Sequence, residues 1–472
     1  MSSDRYKGEK AGAPRDSLRN PVGFAGGGGS RVSEPAEPKV MTVLTRLGAG
    51  GPPVQAVLLL REMSSLGRNW TLVAGSCGKG EADMSYLLRP TDRVCRIPAM
   101  TRAVAPHKDA VALWHLYRLF RRERPDLVHT HTAKAGVLGR LAARLAGVPV
   151  VLHTFHGNVL SGYFPAPLNQ IILLVERLMA GLSDAVCVLS PQQADEISGR
   201  FRVAPSDKVR VVPLGLDLAP WRSIGPASDD PARGLTVGWL GRLVPVKDVP
   251  LLCAVVRKVV LRLPRVRFLI AGDGTERALV DSLQRECGAD RCEFLGWRED
   301  VAPVIQRCHL LLLTSRNEGT PISLIQGMAA GRPFLSTPAG GVADMVQGAP
   351  VHDSGVTWFE NAALCSAEPD SFVRALETLS ARPDRLAGMS SACLSVAMRF
   401  DVNNLIRTTE QLYSELLQSK ASPRLSRVPG LLEALAGFLR TGRAPGALHN
   451  PVLSASVKCE SNVETVCGRW MK

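Results

Sequence analysis

The sequence predicts an α/β fold with two domains, and three observations carry this prediction. The chain has 472 residues, more than the roughly 250–300 at which a single hydrophobic core stops growing. In both halves, short apolar strands end in glycine-rich loops and are followed by helical segments, an order typical of parallel sheets. Between the halves, residues 219–234 are rich in Pro, Ser, Asp and Gly, which is typical of a linker.

These observations set the predicted organisation of the chain. We predict a disordered extension at 1–38, a first Rossmann-like domain at 39–218, a linker at 219–234, a second Rossmann-like domain at 235–399, a helix at 400–418 that crosses back to the first domain, and a basic tail at 419–472. The extension is polar and glycine-rich and shows no hydrophobic periodicity, so it has little apolar surface to bury.

The first domain opens with a predicted strand–loop–helix–strand unit. Residues 40–44 form the first strand, residues 54–66 the helix and residues 70–74 the second strand. The loop between them contains Gly50 and Gly51, whose backbone a ligand can approach closely because no Cβ atoms stand in the way. An ordinary glycine turn is the alternative for these two residues.

Four histidines follow in the same domain. Alternation along the strand after Asp126 places His129 and His131 on one face, and His153 and His156 come after the next helix and strand. A metal site is one interpretation. We predict no metal here, because transition-metal sites pair histidines with convergent carboxylates or thiolates, and the glycine-rich context fits a phosphate and sugar pocket better.

The second domain begins with a strand at residues 235–240, which runs into a loop carrying Arg242 and Lys247. Open α/β sheets bind ligands at the carboxyl ends of their strands. Two cations at that position suit a diphosphate, Arg242 as a planar fork and Lys247 as a point charge. Further strands are predicted after Arg267 and Cys292, and the four leucines at 310–313 predict a buried parallel strand.

Residues 316–344 are the most informative segment. They place Glu318 on a Gly-Thr-Pro turn that opens a short apolar helix, so the carboxylate and the free helix amides face the same space. The amides and the helix dipole favour a phosphate, and the carboxylate accepts hydrogen bonds from hydroxyls. These residues indicate a nucleotide sugar as the ligand.

Several motifs in this order resemble one family. Gly-Arg-Leu with a following Lys, Ala-Gly-Asp-Gly, Phe-Leu-Gly, and Glu-Gly-Thr-Pro before Ala-Ala-Gly-Arg-Pro are together similar to the C-terminal domain of the retaining glycosyltransferases of family 4, and the resemblance extends over residues 39–418. It implies the GT-B architecture, in which two Rossmann-like domains face each other across a cleft. It also implies transfer of a sugar from a nucleoside-diphosphate sugar to a glycan or lipid-linked acceptor, as in polysaccharide biosynthesis.

The motifs and the resemblance together nominate the site residues. The predicted catalytic residues are Glu318, His156, Arg242 and Lys247, and the predicted substrate-binding residues are Gly50, Gly51, Gly319, Thr320, Pro321, Ile322, Ser323, Gln326, Gly296, Arg298 and Asp273. The resemblance assigns His156 to the donor sugar and Gly50 and Gly51 to the diphosphate or the acceptor. From the residues alone, Asp273 is as well explained by a turn. No metal and no cofactor other than the donor substrate are expected.

The chain departs from the family's pattern at two positions. Gln326 stands where the family has a second Glu that holds the ribose, and Gln55 stands where a His is common. Because a neutral amide lacks the charge that strengthens carboxylate–hydroxyl bonds, Gln326 predicts donor binding weaker by roughly tenfold. Gln55 removes any role for an imidazole at that position.

The carboxylates also favour one mechanism. A double displacement needs a carboxylate nucleophile with an acid/base partner, and no second carboxylate stands near Glu318 in sequence. We therefore expect a metal-independent front-face reaction, in which the leaving diphosphate takes the acceptor proton. Two alternatives remain from the sequence: a catalytically silent nucleotide-sugar-binding protein and a nucleotide-sugar epimerase on the same fold.

Composition bears on location and partners. The net charge is +14, yet aromatic residues are only 5% and no nucleic-acid motif is present, so we expect no nucleic-acid partner. The chain has no apolar run near the ~18 residues of a spanning helix and no signal-peptide core, so we expect a cytoplasmic protein. Residues 419–472 hold eight Lys/Arg against three Glu. They predict either a helix on an anionic membrane surface or a weakly ordered tail.

Overall fold

The computed structural model describes residues 37–421, except residue 49, residues 79–80, residue 82, residues 158–165 and residues 226–233. The disorder predicted for 1–38 and the membrane helix predicted within 419–472 therefore lie outside the described residues, apart from the few residues nearest them. Residues 226–233 of the predicted linker lie outside them as well.

The described residues form fifteen strands and thirteen α-helices. The strands are β1 (Val40–Leu44), β2 (Trp70–Ala74), β3 (Val94–Arg96), β4 (Leu127–His131), β5 (Val150–Phe155), β6 (Ala185–Val188), β7 (Val209–Val211), β8 (Thr236–Leu240), β9 (Arg267–Ala271), β10 (Cys292–Gly296), β11 (Leu310–Leu313), β12 (Phe334–Ser336), β13 (Val351–Asp353), β14 (Val356–Trp358) and β15 (Ala362–Cys365). The helices are α1 (Gly51–Ser65), α2 (Pro106–Glu123), α3 (Ala133–Ala146), α4 (Ala166–Gly181), α5 (Pro191–Asp195), α6 (Ala219–Arg222), α7 (Val249–Arg262), α8 (Arg277–Cys287), α9 (Ala302–Arg307), α10 (Ile322–Ala329), α11 (Pro369–Ala381), α12 (Pro383–Ala397) and α13 (Val402–Ala421).

The strands make two separate sheets. The first has the order β3-β2-β1-β4-β5-β6-β7 and is parallel throughout. The second has the order β10-β9-β8-β11-β12-β15-β14-β13, in which only the last three strands pair antiparallel. The first six strands of the first sheet follow the 3-2-1-4-5-6 order of a Rossmann fold. The first five strands of the second sheet follow the same order, and β15 takes the sixth place. The prediction of two Rossmann-like domains is confirmed.

Helices cover both faces of the first sheet. Buried side chains of β1 alternate between two core clusters, with Val40 and Leu44 on the face of α1 and α13, and Met41 and Val43 on the face of α2 and α3. This alternation follows from the two-residue period of a strand, and it explains why a parallel strand buried on both faces is apolar throughout.

The chain passes between the domains twice, and the two passages run side by side. Leu216 donates its backbone N–H to Phe400 O at 2.8 Å, and Val402 donates to Leu216 O at 2.9 Å. Helix α13 then packs on the first domain, where Tyr413 stacks on Trp70 with 5.5 Å between the ring centroids. The two domains are thus connected by these paired backbone segments and by helix α13, which follows the second domain in the chain and packs on the first.

Candidate functional site

A cavity of about 540 Å³ lies between the loops that follow the strands of the two sheets. Its lining comes from the β1, β4 and β5 loops of the first domain and from the β8, β9, β10 and β11 loops of the second. Ligand pockets of small molecules measure ~300–1,000 Å³, so this cavity has the size for a nucleotide sugar.

Most residues nominated from the sequence line this cavity. They are Gly50, Gly51, His156, Arg242, Lys247, Arg298, Glu318, Gly319, Thr320, Pro321, Ile322, Ser323 and Gln326. The structure therefore brings residues from both halves of the chain to one place, although they lie far apart in sequence.

Two nominated residues do not line the cavity. Asp273 accepts a hydrogen bond from the Gly274 N–H at 2.8 Å and lies 3.4 Å from Arg277, so it closes its own turn. Gly296 accepts the N–H of Gly272 at 2.8 Å through its carbonyl oxygen and is engaged within the sheet edge. The placement of Asp273 and Gly296 in the substrate site stays a prediction, and the turn interpretation of Asp273 fits its contacts.

Lys247 and Glu318 form an ion pair in the cavity wall. The Lys247 ammonium and the Ser315 hydroxyl both donate to the same carboxylate oxygen of Glu318. The exposed fractions are 15% for the Lys247 side chain and 11% for that of Glu318. Thr314, at the end of the β11 strand, donates its hydroxyl to the Lys247 carbonyl at 2.8 Å, which fixes the cation relative to the sheet.

The two domains touch at Gly319. A Cβ atom at Gly319 would lie 2.1 Å from the carbonyl oxygen of His156, far inside van der Waals contact. Gly341 packs against the turn that carries Glu318, and a Cβ atom at Gly341 would lie 2.0 Å from the Gly319 carbonyl oxygen. Glycine is therefore required at Gly319 for the Glu318 turn to reach the His156 segment of the opposite domain.

The Gly-Arg-Leu loop is held by the Ala-Gly-Asp-Gly turn beside it. Gly241 donates its N–H to Ala271 O at 3.1 Å, and Leu243 donates to Asp273 O at 2.9 Å. A Cβ at Gly272 would lie only 1.9 Å from the Gly241 carbonyl oxygen. The glycines of the second motif thus act on Arg242 indirectly, by letting two loops pack closely.

The histidines form a buried hydrogen-bond network. His129 hydrogen-bonds the Tyr413 hydroxyl and the Thr154 hydroxyl, both at 2.6 Å. His131 Nδ1 lies 2.7 Å from His156 Nε2, and the ring centroids of His129 and His131 are 4.3 Å apart. Within the part of the chain that the structure describes, no group of three or more His, Cys, Asp or Glu side chains is arranged to hold a metal ion.

Burial keeps these imidazoles neutral. It lowers the pKa of His129 to about 3 and that of His156 to about 3, and the pKa of His131 lies well below its usual value for the same reason. A neutral imidazole carries one N–H, so one proton is shared across the His131–His156 contact. Among the described residues, His131 Nε2 and His156 Nδ1 lack a hydrogen-bond partner, and each is a donor or an acceptor according to that proton.

Several lining residues were not nominated from the sequence. They are Arg46, Tyr86, Thr132, Glu176, Trp297, Glu299 and Asn317. Thr132 is the most informative, because this β-branched residue has φ +68° and ψ 154°, a combination that is otherwise almost restricted to glycine. It lies after β4, beside β1, where the strand order of the first sheet reverses.

The sequence did carry a signal for Thr132 and Arg46. Both follow strands that neighbour each other at the point of reversal, and the hydroxyl of Thr132 lies 2.6 Å from that of Thr45. Histidines and glycines are the more prominent residues of this region of the sequence, and a threonine gives no sign of a positive φ.

Two family models match the chain. The model described as "Glycosyl transferases group 1" matches residues 234–382, and the model described as "Glycosyltransferase Family 4" matches residues 49–220. The chain belongs to the glycosyltransferases with the GT-B fold. The resemblance of its motifs to a glycosyltransferase family is confirmed, and the chain is a glycosyltransferase.

Curated relatives support the same assignment. The glycosyltransferase is 27% identical over 359 residues to the UDP-Gal:alpha-D-GlcNAc-diphosphoundecaprenol alpha-1,3-galactosyltransferase of Escherichia coli, covering 72% of this chain and 89% of the relative. It is 27% identical over 331 residues to the D-inositol 3-phosphate glycosyltransferase of Streptomyces coelicolor, covering 62% of this chain and 70% of the relative.

Solved structures share the fold. HepE of Anabaena in complex with UDP is 20% identical with a TM-score of 0.62, covering 80% of the glycosyltransferase and 100% of HepE. Sucrose-phosphate synthase of Thermosynechococcus elongatus is 20% identical with a TM-score of 0.65, covering 81% and 100%. No helix among the described residues of the glycosyltransferase is both long enough and apolar enough to cross a bilayer.

Proposed function

We propose that this enzyme transfers a sugar from a UDP-sugar to a hydroxyl of a lipid-linked acceptor, with retention of anomeric configuration and without a metal ion. The single observation that carries the proposal is the meeting of Arg242, Lys247 and Glu318 with the start of α10 in one cavity between two domains. UDP is supported by the HepE complex and by the name of the Escherichia coli relative, which also names a diphosphoundecaprenol-linked acceptor.

The charges of the cavity suit a diphosphate leaving group. Arg242, Lys247 and the amides at the start of α10 present positive charge to the same space. When the donor binds, its phosphates compete with Glu318 for Lys247, and Glu318 becomes able to accept hydrogen bonds from sugar hydroxyls. Arg242, Lys247 and the α10 amides would neutralise the charge of a bound diphosphate, and this supports a reaction that needs no divalent cation.

The carboxylates of the cavity favour the front-face route. Glu176 is paired with the buried Arg140 at 2.7 Å, Glu299 is exposed, and Glu318 is bound to Lys247 and Ser315. Glu176 and Glu318 are thus bound by cationic and hydroxyl partners, which favours a front-face reaction over attack by a carboxylate nucleophile. The bond from the anomeric carbon to the diphosphate breaks, the acceptor oxygen bonds to the same face, and its proton passes to a diphosphate oxygen.

His156 supports the sugar end of the donor. It lines the cavity and has one nitrogen without a partner among the described residues. A sugar hydroxyl both donates and accepts, so it matches either position of the proton shared with His131.

Transfer assays with a panel of donors test this function. We expect UDP release in the presence of a lipid-linked acceptor from one UDP-sugar, activity that persists in EDTA, and a product whose anomeric proton coupling matches that of the donor. Inverted configuration would contradict the front-face route, and complete loss in EDTA would contradict the metal-independent reaction. Turnover separates an enzyme from a silent binder, and conversion of the donor to its epimer without an acceptor would favour an epimerase.

A further inference from the structure

Helix α4 carries an apolar face that points outward. Leu168, Ile171, Leu174 and Leu178 are 37%, 60%, 56% and 60% exposed, and their spacing places them on one side of the helix. The opposite side packs on the core through Ile172, Leu173 and Ala180. Surface helices normally present polar residues to water, so α4 has the composition of a helix covered on both sides.

Helix α2 adds an aromatic residue and positive charge. Val111 and Trp114 are 47% and 43% exposed, and Arg118 lies over the Trp114 ring at 5.9 Å. The exposed cations of the helix are Lys108, Arg118, Arg121 and Arg122.

The acidic residues of α2 offset these cations only in part. Asp109 is paired with Lys134 at 2.6 Å, and Glu123 is bound by Lys39 and, at 3.0 Å, by Arg122. Because the exposed cations Lys108, Arg118 and Arg121 remain, the outward charge of α2 is positive.

Topology brings the two helices into one layer beside the cavity. Helix α2 packs on α3 and α3 packs on α4, all on the same face of the first sheet. Each helix follows a parallel strand, so each begins at the carboxyl edge of the sheet, where the cavity lies. Glu176 of α4 lines the cavity itself.

We propose that the outward side of α2 and α4, here called the α2/α4 face, docks on an anionic lipid bilayer. The inference rests on the proposed function, since a lipid-linked acceptor places its sugar at the bilayer surface. Leucine, isoleucine and tryptophan side chains enter the boundary between headgroups and acyl chains, and the arginines contact anionic headgroups. The face belongs to the first domain and lies beside the cavity, so docking brings the acceptor to the cavity mouth.

The charge of the face favours a bilayer over a second copy of the chain. A two-fold symmetric dimer brings the same patch of both copies together. That interface would then hold the arginines of both copies, and their like charge is destabilising, whereas anionic lipid headgroups neutralise them.

Flotation with vesicles tests the α2/α4 face. The full chain is mixed with vesicles of phosphatidylcholine and phosphatidylglycerol, and separately with phosphatidylcholine alone. We expect flotation on the anionic vesicles and a fall of at least about tenfold in partition for the combined Ile171→Asn, Leu174→Asn and Leu178→Asn variant. Arg118→Glu with Arg121→Glu should lower partition on anionic vesicles only. If the triple variant does not fold, Ile171→Asn alone serves, because its side chain is 60% exposed.

Leu261→Asn is the matched control. Leu261 is 84% exposed on α7 of the other domain, and its replacement should leave flotation unchanged. Equal flotation of the α4 variants and the wild-type chain overturns the proposal. Flotation that is lost only on deletion of residues 422–472 also overturns it, as does a dimer in sedimentation that the α4 substitutions dissociate.

One further measurement separates this inference from the proposed function. Transfer to a water-soluble, short-chain acceptor should keep its wild-type kcat/KM in the α4 variants, because the replaced side chains point away from the cavity. If the wild-type chain floats but transfers sugar to no acceptor, the function is wrong and the docking face stands. If transfer to the soluble acceptor is normal and flotation is absent, the docking face alone is wrong.

Discussion

At the scale of single residues, the cavity is organised by one ion pair. Lys247 and Ser315 both bind the same oxygen of Glu318, so without donor the cation and the carboxylate satisfy each other. This arrangement keeps two partly buried charges compensated until phosphate and hydroxyl groups replace them. The residues that make the pair could be predicted from their motifs, but the pairing itself depends on how two loops meet.

Replacement of Lys247 by alanine tests its role at the leaving group. We expect kcat to fall by roughly 100-fold to 1,000-fold, because a positive group aimed at developing charge is lost. Lys247→Arg should recover part of the rate, since the charge remains with altered geometry. Steady-state UDP release measures both variants. Lys258→Ala, which removes an exposed lysine paired with Asp370 on the surface, is the control. Unchanged turnover in Lys247→Ala would show that the cation does not act on the diphosphate.

Replacement of Gln326 by glutamate is expected to strengthen donor binding. Gln326 lines the cavity four residues into α10, where a carboxylate would gain a charge-assisted bond to a ribose hydroxyl. Gln326→Glu should tighten UDP binding by about tenfold in titration calorimetry. An equal Kd for the two proteins would mean that this side chain does not contact the ribose.

At the scale of elements, the sequence predicted buried regular strands well, and it predicted helix starts and exposed strand pairs poorly. The four-leucine strand lies at Leu310–Leu313 as expected, because an apolar run bounded by turns suits a parallel strand buried on both faces. Helix α1 begins at Gly51 and not at residue 54, since Pro52 and Pro53 fit the first helical turn, where no N–H donor is needed. The antiparallel β13–β14 pair was missed, because the side chains of β13 are all exposed and show no alternation.

The same limit applies at the site. Asp273 and Gly296 belong to motifs at the strand ends, yet neither lines the cavity, and polar atoms of both bond to neighbouring groups. A motif gives the position of a residue along the chain but not the direction of its side chain. Residues that reach the cavity from the other domain, such as Arg46 and Thr132, carry no motif at all.

The contact between the Glu318 turn and the His156 segment can be tested at Gly319. In Gly319→Ala the new methyl group would lie 2.1 Å from the His156 carbonyl oxygen, so the two loops must separate. We expect transfer to fall by at least about tenfold and stability to fall by about 1–3 kcal/mol, as for overpacked sites. Activity assays and urea unfolding measure the two effects.

Gly388→Ala is the matched control for that substitution. Gly388 lies within α12, and a methyl group added there would meet no heavy atom within 4 Å, so alanine should be neutral or stabilising by about 0.5–1 kcal/mol. If Gly319→Ala behaved like Gly388→Ala, the close approach of the two loops would not be needed for activity.

At the scale of the whole molecule, the buried histidines connect the site to the passage between domains. His156 lines the cavity, His131 contacts it, and His129 bonds Tyr413 on α13, the helix that returns from the second domain. A charge on any of these rings would be buried without a counter-ion among the described residues of the network. Because His129 bonds Tyr413 of α13, protonation of the network would disturb the packing of α13 as well as the cavity wall.

The network predicts a loss of stability in mild acid. Burial holds the folded-state pKa values of His129 and His156 at about 3, whereas a histidine in the unfolded chain has a pKa near 6.5. Well above pH 6.5 neither the folded nor the unfolded state is protonated at these rings, and their contribution to stability is complete. As the pH falls from 6.5 toward 3, the unfolded chain binds protons at these histidines and the folded chain does not, so the free energy of unfolding decreases.

Urea unfolding at pH 7.5, 6.5 and 5.5 measures this effect, and the window stays above the range in which most carboxylates titrate. At pH 5.5 each of the two histidines should cost about 1.4 kcal/mol of unfolding free energy. His129→Gln should reduce the pH slope by up to one proton, even where it lowers stability at pH 7.5. His115→Gln, which replaces an exposed histidine of α2, should leave the slope as it is. A free energy of unfolding that stays constant from pH 7.5 to 5.5 would mean that the folded protein admits protons to these rings, and the neutral hydrogen-bond network assigned to the site would then be wrong.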